Sequence, residues 1–284
     1  MAAALLWLLL APLLPAGPAD PPAPAAPESE AKLFFIQLSD PQFGMFEENR
    51  GFQGETVNLT RAVAHVNRLR PAFVVVTGDL VNRPGDEAQA TEYLRLMRSV
   101  DRSIPVHSVA GNHDVENTPT PESLAWFRRT FGPDRGVFQH AGAWFLFLNS
   151  SLVCDPKKSG AEAEEQYRWL DSELYRASRS GARQIVLFQH HPWFVERADE
   201  PDSYHSVPLS ARGRYLERLR QAGVRAVFAG HLHRCAEAAD RDLAMVATGP
   251  VGKPLGKEPS GLRVVWVFED RIVHRYYGLE EVPQ

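Results

Sequence analysis

Five runs of apolar residues rich in β-branched and aromatic types recur along the chain. They are LFFIQL (33–38), FVVVTG (73–78), IPVHSVAG (104–111), QIVLFQ (184–189) and VRAVFAG (224–230). None alternates apolar with polar positions, so each reads as a strand buried on both faces of its sheet. Between them the apolar spacing turns helical. Leu59, Val63, Val66 and Leu69 form one stripe over 56–70, closed by Pro71. Tyr167, Leu170 and Leu174 within 163–180 repeat the pattern, as do Leu209, Leu216 and Leu219 within 208–222, which Gly223 ends. Shorter helices are expected over 87–101 and 121–131. This alternation of strand and helix predicts an α/β fold. Two hairpins add to it, VFQH (137–140) with AWFLFLNS (143–150), and LRVVWVFEDRIVHRYY (262–277) turning at Glu269–Asp270. The expected architecture is a four-layer α/β/β/α sandwich, two mixed sheets packed face to face with flanking helices.

The residues that follow the apolar runs carry the chemistry. The first run ends in Ser39-Asp40-Pro41-Gln42, the second in Gly78-Asp79 and the third in Gly111-Asn112-His113-Asp114. The fourth ends in Gln189-His190-His191 and the fifth in Gly230-His231-Leu232-His233. A lone His-x-His is more often a pair of surface histidines in a turn. Five buried strands that each end in Asp, Asn or His are a different matter, because sites in open α/β sheets form at the carboxyl ends of strands. One shared cluster of metal-ligand types is expected there.

Length and composition narrow the class. The chain has 284 residues, with 44% hydrophobic and 23% charged, enough for one large domain over 33–281. A formal charge of −4 leaves no basic footprint for nucleic acid. The opening MAAALLWLLLAPLLPAGPAD has an apolar run too short to span a bilayer and lacks Lys or Arg before it. It reads as a secretory signal over 1–19 with small residues Gly17 and Ala19 before the cut, followed by a Pro/Ala linker over 20–32. A secreted or periplasmic location follows from that signal, with a cytoplasmic one as the alternative. Only Cys154 and Cys235 are present, and their pairing is open.

Two divalent cations a few ångströms apart clamp the attacking and leaving oxygens of a phosphoryl transfer, and a hydroxide held between them is the nucleophile. One carboxylate must bridge them. Asp79 is the natural candidate, since Gly78 leaves its backbone unobstructed. Neutral imidazoles and an amide oxygen complete the shells without repelling a phosphate. A leaving alkoxide needs a proton, which His113 can supply with Asp114 to orient it.

The ordered set GD…GNHD…H…GHLH resembles the calcineurin-like metallophosphoesterase superfamily over residues 33–234. Segments SDPQFG, AGNHDVENTP, LGKEPSGLRVV and HRYYGLEEV extend the resemblance to about residue 281, toward the animal branch described as serine/threonine protein phosphatases. The resemblance implies that Asp40 and His233 hold one cation, that Asp79 bridges, and that Asn112, His190 and His231 hold the other. His113 would be the acid. It also implies a phosphorylated partner, protein or small molecule, with a phosphodiester as the competing substrate and a non-catalytic metal-binding module as the competing class.

Two departures from the superfamily bear on the chemistry. Its first motif is usually Asp-x-His, whereas here Gln42 offers one neutral carbonyl oxygen, a harder donor that favours Mn²⁺ or Mg²⁺ over iron or zinc. GDLVNR resembles the GDxVDRG of the larger protein phosphatases, but Asn82 stands where an aspartate supports their histidine. The remaining candidates have plainer readings. His191 is expected to pack behind His190, and His65, His107, His140 and His274 to be structural. Arg50 and Arg83 read as surface residues, the 196–207 loop as solvated, and Lys253 and Lys257 as part of a loop that flanks the site or simply connects strands. Trp193 is a candidate wall of the pocket.

Overall fold

The computed structural model describes residues 30–283. The expected signal over 1–19, and the linker up to residue 29, lie outside the described residues.

The apolar runs form strands whose two faces meet different partners, which is why they do not alternate in polarity. In β1 (Leu33–Leu38), Phe35 faces a second sheet, while Ile36 and Leu38 face helices. In β2 (Val74–Thr77), Val75 divides from Val74 and Val76 in the same way. Together with β3 (Val106–Val109) these strands run parallel. Two antiparallel strands, β10 (Gly261–Val267) and β11 (Ile272–Gly278), complete a sheet of order β11-β10-β1-β2-β3.

The second sheet contains β4 (Gly136–His140), β5 (Ala143–Phe147), β6 (Ile185–Phe188), β7 (Ala226–Ala229), β8 (Ala236–Asp240) and β9 (Leu243–Ala247). Its order is β4-β5-β6-β7-β9-β8, with β5, β6, β7 and β9 parallel and the two edge strands antiparallel. Residues of α1 (Gln53–Leu69), α2 (Glu87–Met97) and α4 (Pro121–Thr130) pack on the outer face of the first sheet. Those of α6 (Gly160–Arg179) and α7 (Leu209–Ala222) pack on the second. Two single turns, α3 (Asn112–Val115) and α5 (Ser151–Cys154), follow β3 and β5. The result is the four-layer α/β/β/α sandwich.

Departures from the sequence reading have local causes. Strand β3 begins only at Val106 because Pro105 has no N–H to give the ladder. Helix α2 stops at Met97 in a turn where Ser99 N–H and Val100 N–H reach back three residues. Strand β8 escapes the pattern because its edge sequence AEAAD lacks β-branched residues. Cys154 and Cys235 are both free thiols. Burial pushes the Cys154 thiol up to about 12 and raises Cys235 as well, so neither is a thiolate at neutral pH.

Between the sheets the packing is aromatic. The Phe35 ring stacks on Phe73 at 4.8 Å and meets Phe188, Phe228 and Phe145 edge-on at 5.4, 5.7 and 5.9 Å. Truncating Phe35→Ala is expected to cost about 3–5 kcal/mol of stability, measured by urea unfolding. A loss below about 1 kcal/mol would mean that Phe35 is not central to the intersheet core.

Candidate metal centre

The turns after β1, β2, β3, β6 and β7 meet at one edge of the sandwich, tied together by backbone. Asp40 N–H donates to Gly78 O at 3.2 Å, Gln42 N–H to Asp79 O at 2.7 Å and Gly230 N–H to His190 O at 2.9 Å. Five of the expected ligands have left-handed backbones: Asp40 (φ 47°), Gln42 (38°), Asp79 (51°), His231 (71°) and His233 (50°). Each such residue costs about 1–2 kcal/mol relative to an ordinary conformation, and the cross-turn hydrogen bonds hold it there. Two glycines allow the close approach. A Cβ on Gly78, itself at φ 88°, would sit 2.5 Å from His190 Nδ1, and one on Gly230 would reach 2.5 Å from Asp40 Oδ2.

Two groups of buried donors result. The ligand atoms of Asp40, Asp79 and His233 lie within 4.8 Å of one another, as do those of His190, His191 and His231. Asp79 joins the groups, with Oδ2 3.3 Å from His190 Nε2. That nitrogen is also 3.0 Å from Asn112 Oδ1 and 3.2 Å from His231 Nδ1. His233 Nε2 stands 3.6 Å from Asp40 Oδ1.

Backbone carbonyls fix the tautomers. His190 Nδ1–H donates to Thr77 O at 2.9 Å, His233 Nδ1–H to Lys253 O at 2.7 Å and His231 Nε2–H to Tyr204 O at 2.8 Å. A carbonyl only accepts, so in the neutral form of each ring the lone pair is left on the nitrogen that faces the cluster. Asp40 is held by a buried chain in which every donor points the same way. Arg263 Nε–H donates to Thr248 (2.8 Å), Thr248 to Gln37 (2.6 Å), Gln37 Nε2–H to Thr77 (2.9 Å), Thr77 to Ser39 (2.8 Å) and Ser39 to Asp40. The His231 N–H adds a bond of 3.1 Å to Asp40 Oδ1.

The chain's own charges already polarise the cluster. Burial raises Asp40. Burial opposes ionisation of Asp79 too, but His190, His113 and His231 hold it well below the carboxylate range. Burial works against a charge on His190, yet Asp79 and Asp40 raise it to about 9. Burial and the neighbouring His190 depress His231 to about 3, and burial with the adjacent imidazoles depresses His191.

Several residues have roles other than those expected. His113 N–H donates to Asp79 Oδ1 at 2.9 Å, and its Nδ1–H donates to Asn82 O at 2.9 Å, leaving Nε2 unshared. Asp114 does not orient that ring. Its carboxylate accepts from Leu80 N–H (2.8 Å), Val81 N–H (3.1 Å) and Gly111 N–H (2.8 Å), clamping the turns after β2 and β3. The reason is position: Asp114 is the third residue of the α3 turn, facing the N-cap Gly111. Trp193 is fully buried, stacked 5.0 Å from Tyr215, and belongs to the core rather than to a pocket wall. His191 is nearer the centre than expected, its ring 4.4 Å from that of His231. The 196–207 loop contributes Tyr204, whose hydroxyl accepts from Asn112 Nδ2 at 3.2 Å beside its carbonyl bond to His231. The sequence does not display these roles of Tyr204 and Lys253, because a main-chain carbonyl has no side-chain signature. Arg50 and Arg83 are exposed, as expected.

The donor set fits divalent cations. Gln42 Oε1 is buried with no hydrogen-bond partner, an acceptor in need of a positive or protic neighbour. Carboxylate, amide oxygen and imidazole are the ligands of Mn²⁺, Zn²⁺ and iron. A four-layer sandwich whose strand-end turns bring two such groups together about one carboxylate defines a dimetal phosphoesterase. The chain belongs to the calcineurin-like phosphoesterase family, whose model matches residues 35–235. It is 40% identical over 272 residues to the serine/threonine-protein phosphatase CPPED1 of Bos taurus, covering 90% of this chain and 87% of that one. The Homo sapiens protein of that name is 39% identical over 275 residues, covering 90% and 88%. A dimetal phosphatase from Danio rerio shares the fold at a TM-score of 0.63, with 20% identity over 88% of this chain and 98% of that one.

Ligands that bind only the folded chain stabilise it by about 2.7 kcal/mol at a hundred times their Kd. Adding Mn²⁺ to EDTA-stripped protein should therefore raise the melting temperature by roughly 5–10 °C for a domain of this size, and Asp79→Asn should abolish the shift. An unchanged melting temperature in the wild type would count against a cation site here.

Proposed function

We propose that the protein hydrolyses phosphomonoesters, with phosphoserine and phosphothreonine side chains of proteins as substrates, at two divalent cations. Asp40, Gln42 and His233 would hold one, Asn112, His190 and His231 the other, with Asp79 shared. The observation that carries this reading is the placement of Asp79, within reach of both donor groups and bonded to the His113 backbone. Bound there, such cations clamp the attacking and departing oxygens and lower the pKa of the attacking water. The chain's own residues do the rest. The carbonyls of Thr77, Tyr204 and Lys253 keep the three imidazoles in the ligand tautomer. Asn82 O holds the His113 ring by Nδ1, so that Nε2 is the atom free to pass a proton to the departing oxygen. The names of the 39–40% identical relatives support the protein substrate. The oxygen-rich donor set around Asp40 favours Mn²⁺ or Mg²⁺ there.

Among the described residues, no helix is long and apolar enough to cross a membrane. The apolar N-terminal run favours an exported chain, and a mature protein beginning at Asp20 would support that location over the cytoplasm.

Replacing His113→Asn should lower kcat about 10²–10⁴-fold with cation content unchanged. A fall below about threefold would remove His113 from the proton transfer. A phosphoserine peptide should be hydrolysed faster than bis(p-nitrophenyl) phosphate; equal or reversed rates would make a phosphodiester the better substrate.

A further inference from the structure

An amide has a donor end and an acceptor end of nearly equal size, so a glutamine ligand is correct only if something decides which end faces the cation. Gln42 is buried, 2% exposed, and its Nε2–H donates to Asn82 Oδ1 at 3.0 Å. Asn82 in turn donates Nδ2–H to Asn49 Oδ1 at 2.8 Å. The same Asn49 oxygen accepts from Gln89 Nε2–H at 2.9 Å. Gln89 is also 2% exposed, and its Oε1 accepts from two backbone donors, Asn82 N–H at 2.9 Å and Arg83 N–H at 3.0 Å.

Backbone N–H groups cannot reverse their polarity. They fix Gln89 with its oxygen toward residues 82 and 83, which turns its amino group toward Asn49. Each amide along the line is then forced in turn, and the end left over is Gln42 Oε1, buried and without a donor. We infer that Gln89, Asn49 and Asn82 form a polarity relay that presents the oxygen, rather than the amino group, of Gln42 to the first cation. They are positioning residues, and Gln89 acts across three hydrogen bonds. Asn82 serves twice, since its backbone oxygen also holds His113. This inference rests on the two-cation reading above.

The relay makes an unusual prediction for Gln89→Glu. A carboxylate still accepts from the two backbone N–H groups, but it presents a second acceptor to Asn49. Asn49 then turns its amino group to both neighbours, Asn82 turns its own amino group to Gln42, and Gln42 turns its amino group to the cation. Changing the supporting partner of a ligand typically weakens a metal by about 10–100-fold, and Gln89→Glu should weaken one of two Mn²⁺ ions by that much while sparing the other. Adding Gln42→Glu should restore it, because a carboxylate has an acceptor at each end and is indifferent to the relay.

The experiment is a Mn²⁺ titration read by the electron paramagnetic resonance of the free ion, with elemental analysis after desalting, on wild type, Gln42→Ala, Gln89→Glu and the Gln89→Glu/Gln42→Glu pair. Two ions in the wild type, one lost in Gln42→Ala, one weakened in Gln89→Glu and regained in the pair would support the relay. Gln89→Glu binding both ions with wild-type affinity would overturn it and leave the two-cation reading standing. A weakening that Gln42→Glu does not relieve would reduce Gln89 to a structural role and overturn it as well. Two ions retained in Gln42→Ala would overturn both the relay and Gln42 as a ligand. If Gln89→Glu does not fold, Asn82→Ala reads the same relay: it frees the Gln42 amide to turn and should weaken the same ion, again relieved by Gln42→Glu.

Discussion

Two carboxylates, Asp40 and Asp79, are buried with their ligand oxygens within 4.8 Å of each other and of His233. Burying like charges this closely is costly unless each is met by hydrogen bonds and compensating charge. Much of the surrounding structure meets that requirement. His190 and His233 stand against the carboxylates, backbone N–H groups of His113 and His231 reach them, and a chain of hydroxyls and an amide runs to Asp40 from Arg263. The sandwich supplies the geometry. Parallel strands from both sheets end at one edge, so groups far apart in sequence arrive together.

The backbone beneath the cluster carries a second requirement. The cluster's side chains leave from backbones in a sparsely populated conformation; hydrogen bonds between turns of one sheet hold Asp40, Gln42 and Asp79 there, and docking of the two sheets brings the His231 N–H to Asp40. The aromatic core around Phe35 does this docking. Stability and site geometry are therefore coupled through the intersheet packing rather than through contacts at the site alone.

How much of this the sequence displays depends on what carries each feature. Buried strands show themselves because both faces are apolar, and ligand types show themselves because Asp, Asn and His at strand ends are chemically conspicuous. The edge strand β8 is hidden because AEAAD satisfies an edge without the usual residue types. An acid beside a histidine suggests a partner for it, whereas the turn of α3 directs Asp114 to three backbone N–H groups. The carbonyls of Tyr204, Lys253 and Asn82 leave no trace in side-chain identity. Gln89 is invisible for the opposite reason, as a common helix residue whose importance lies in the direction of its amide.

The last strands of the fold bear on how the molecule is made. Val251 and Gly252 donate their N–H groups to Ser39 and Asp40, Lys253 O holds His233, and Arg263 begins the chain that ends at Asp40. Synthesis proceeds from the N-terminus, so all seven expected ligands leave the ribosome before these supports do. A nascent chain halted near residue 248 would possess all seven expected ligands and none of these supports. The supports of Asp40 thus come from residues made some two hundred positions after it.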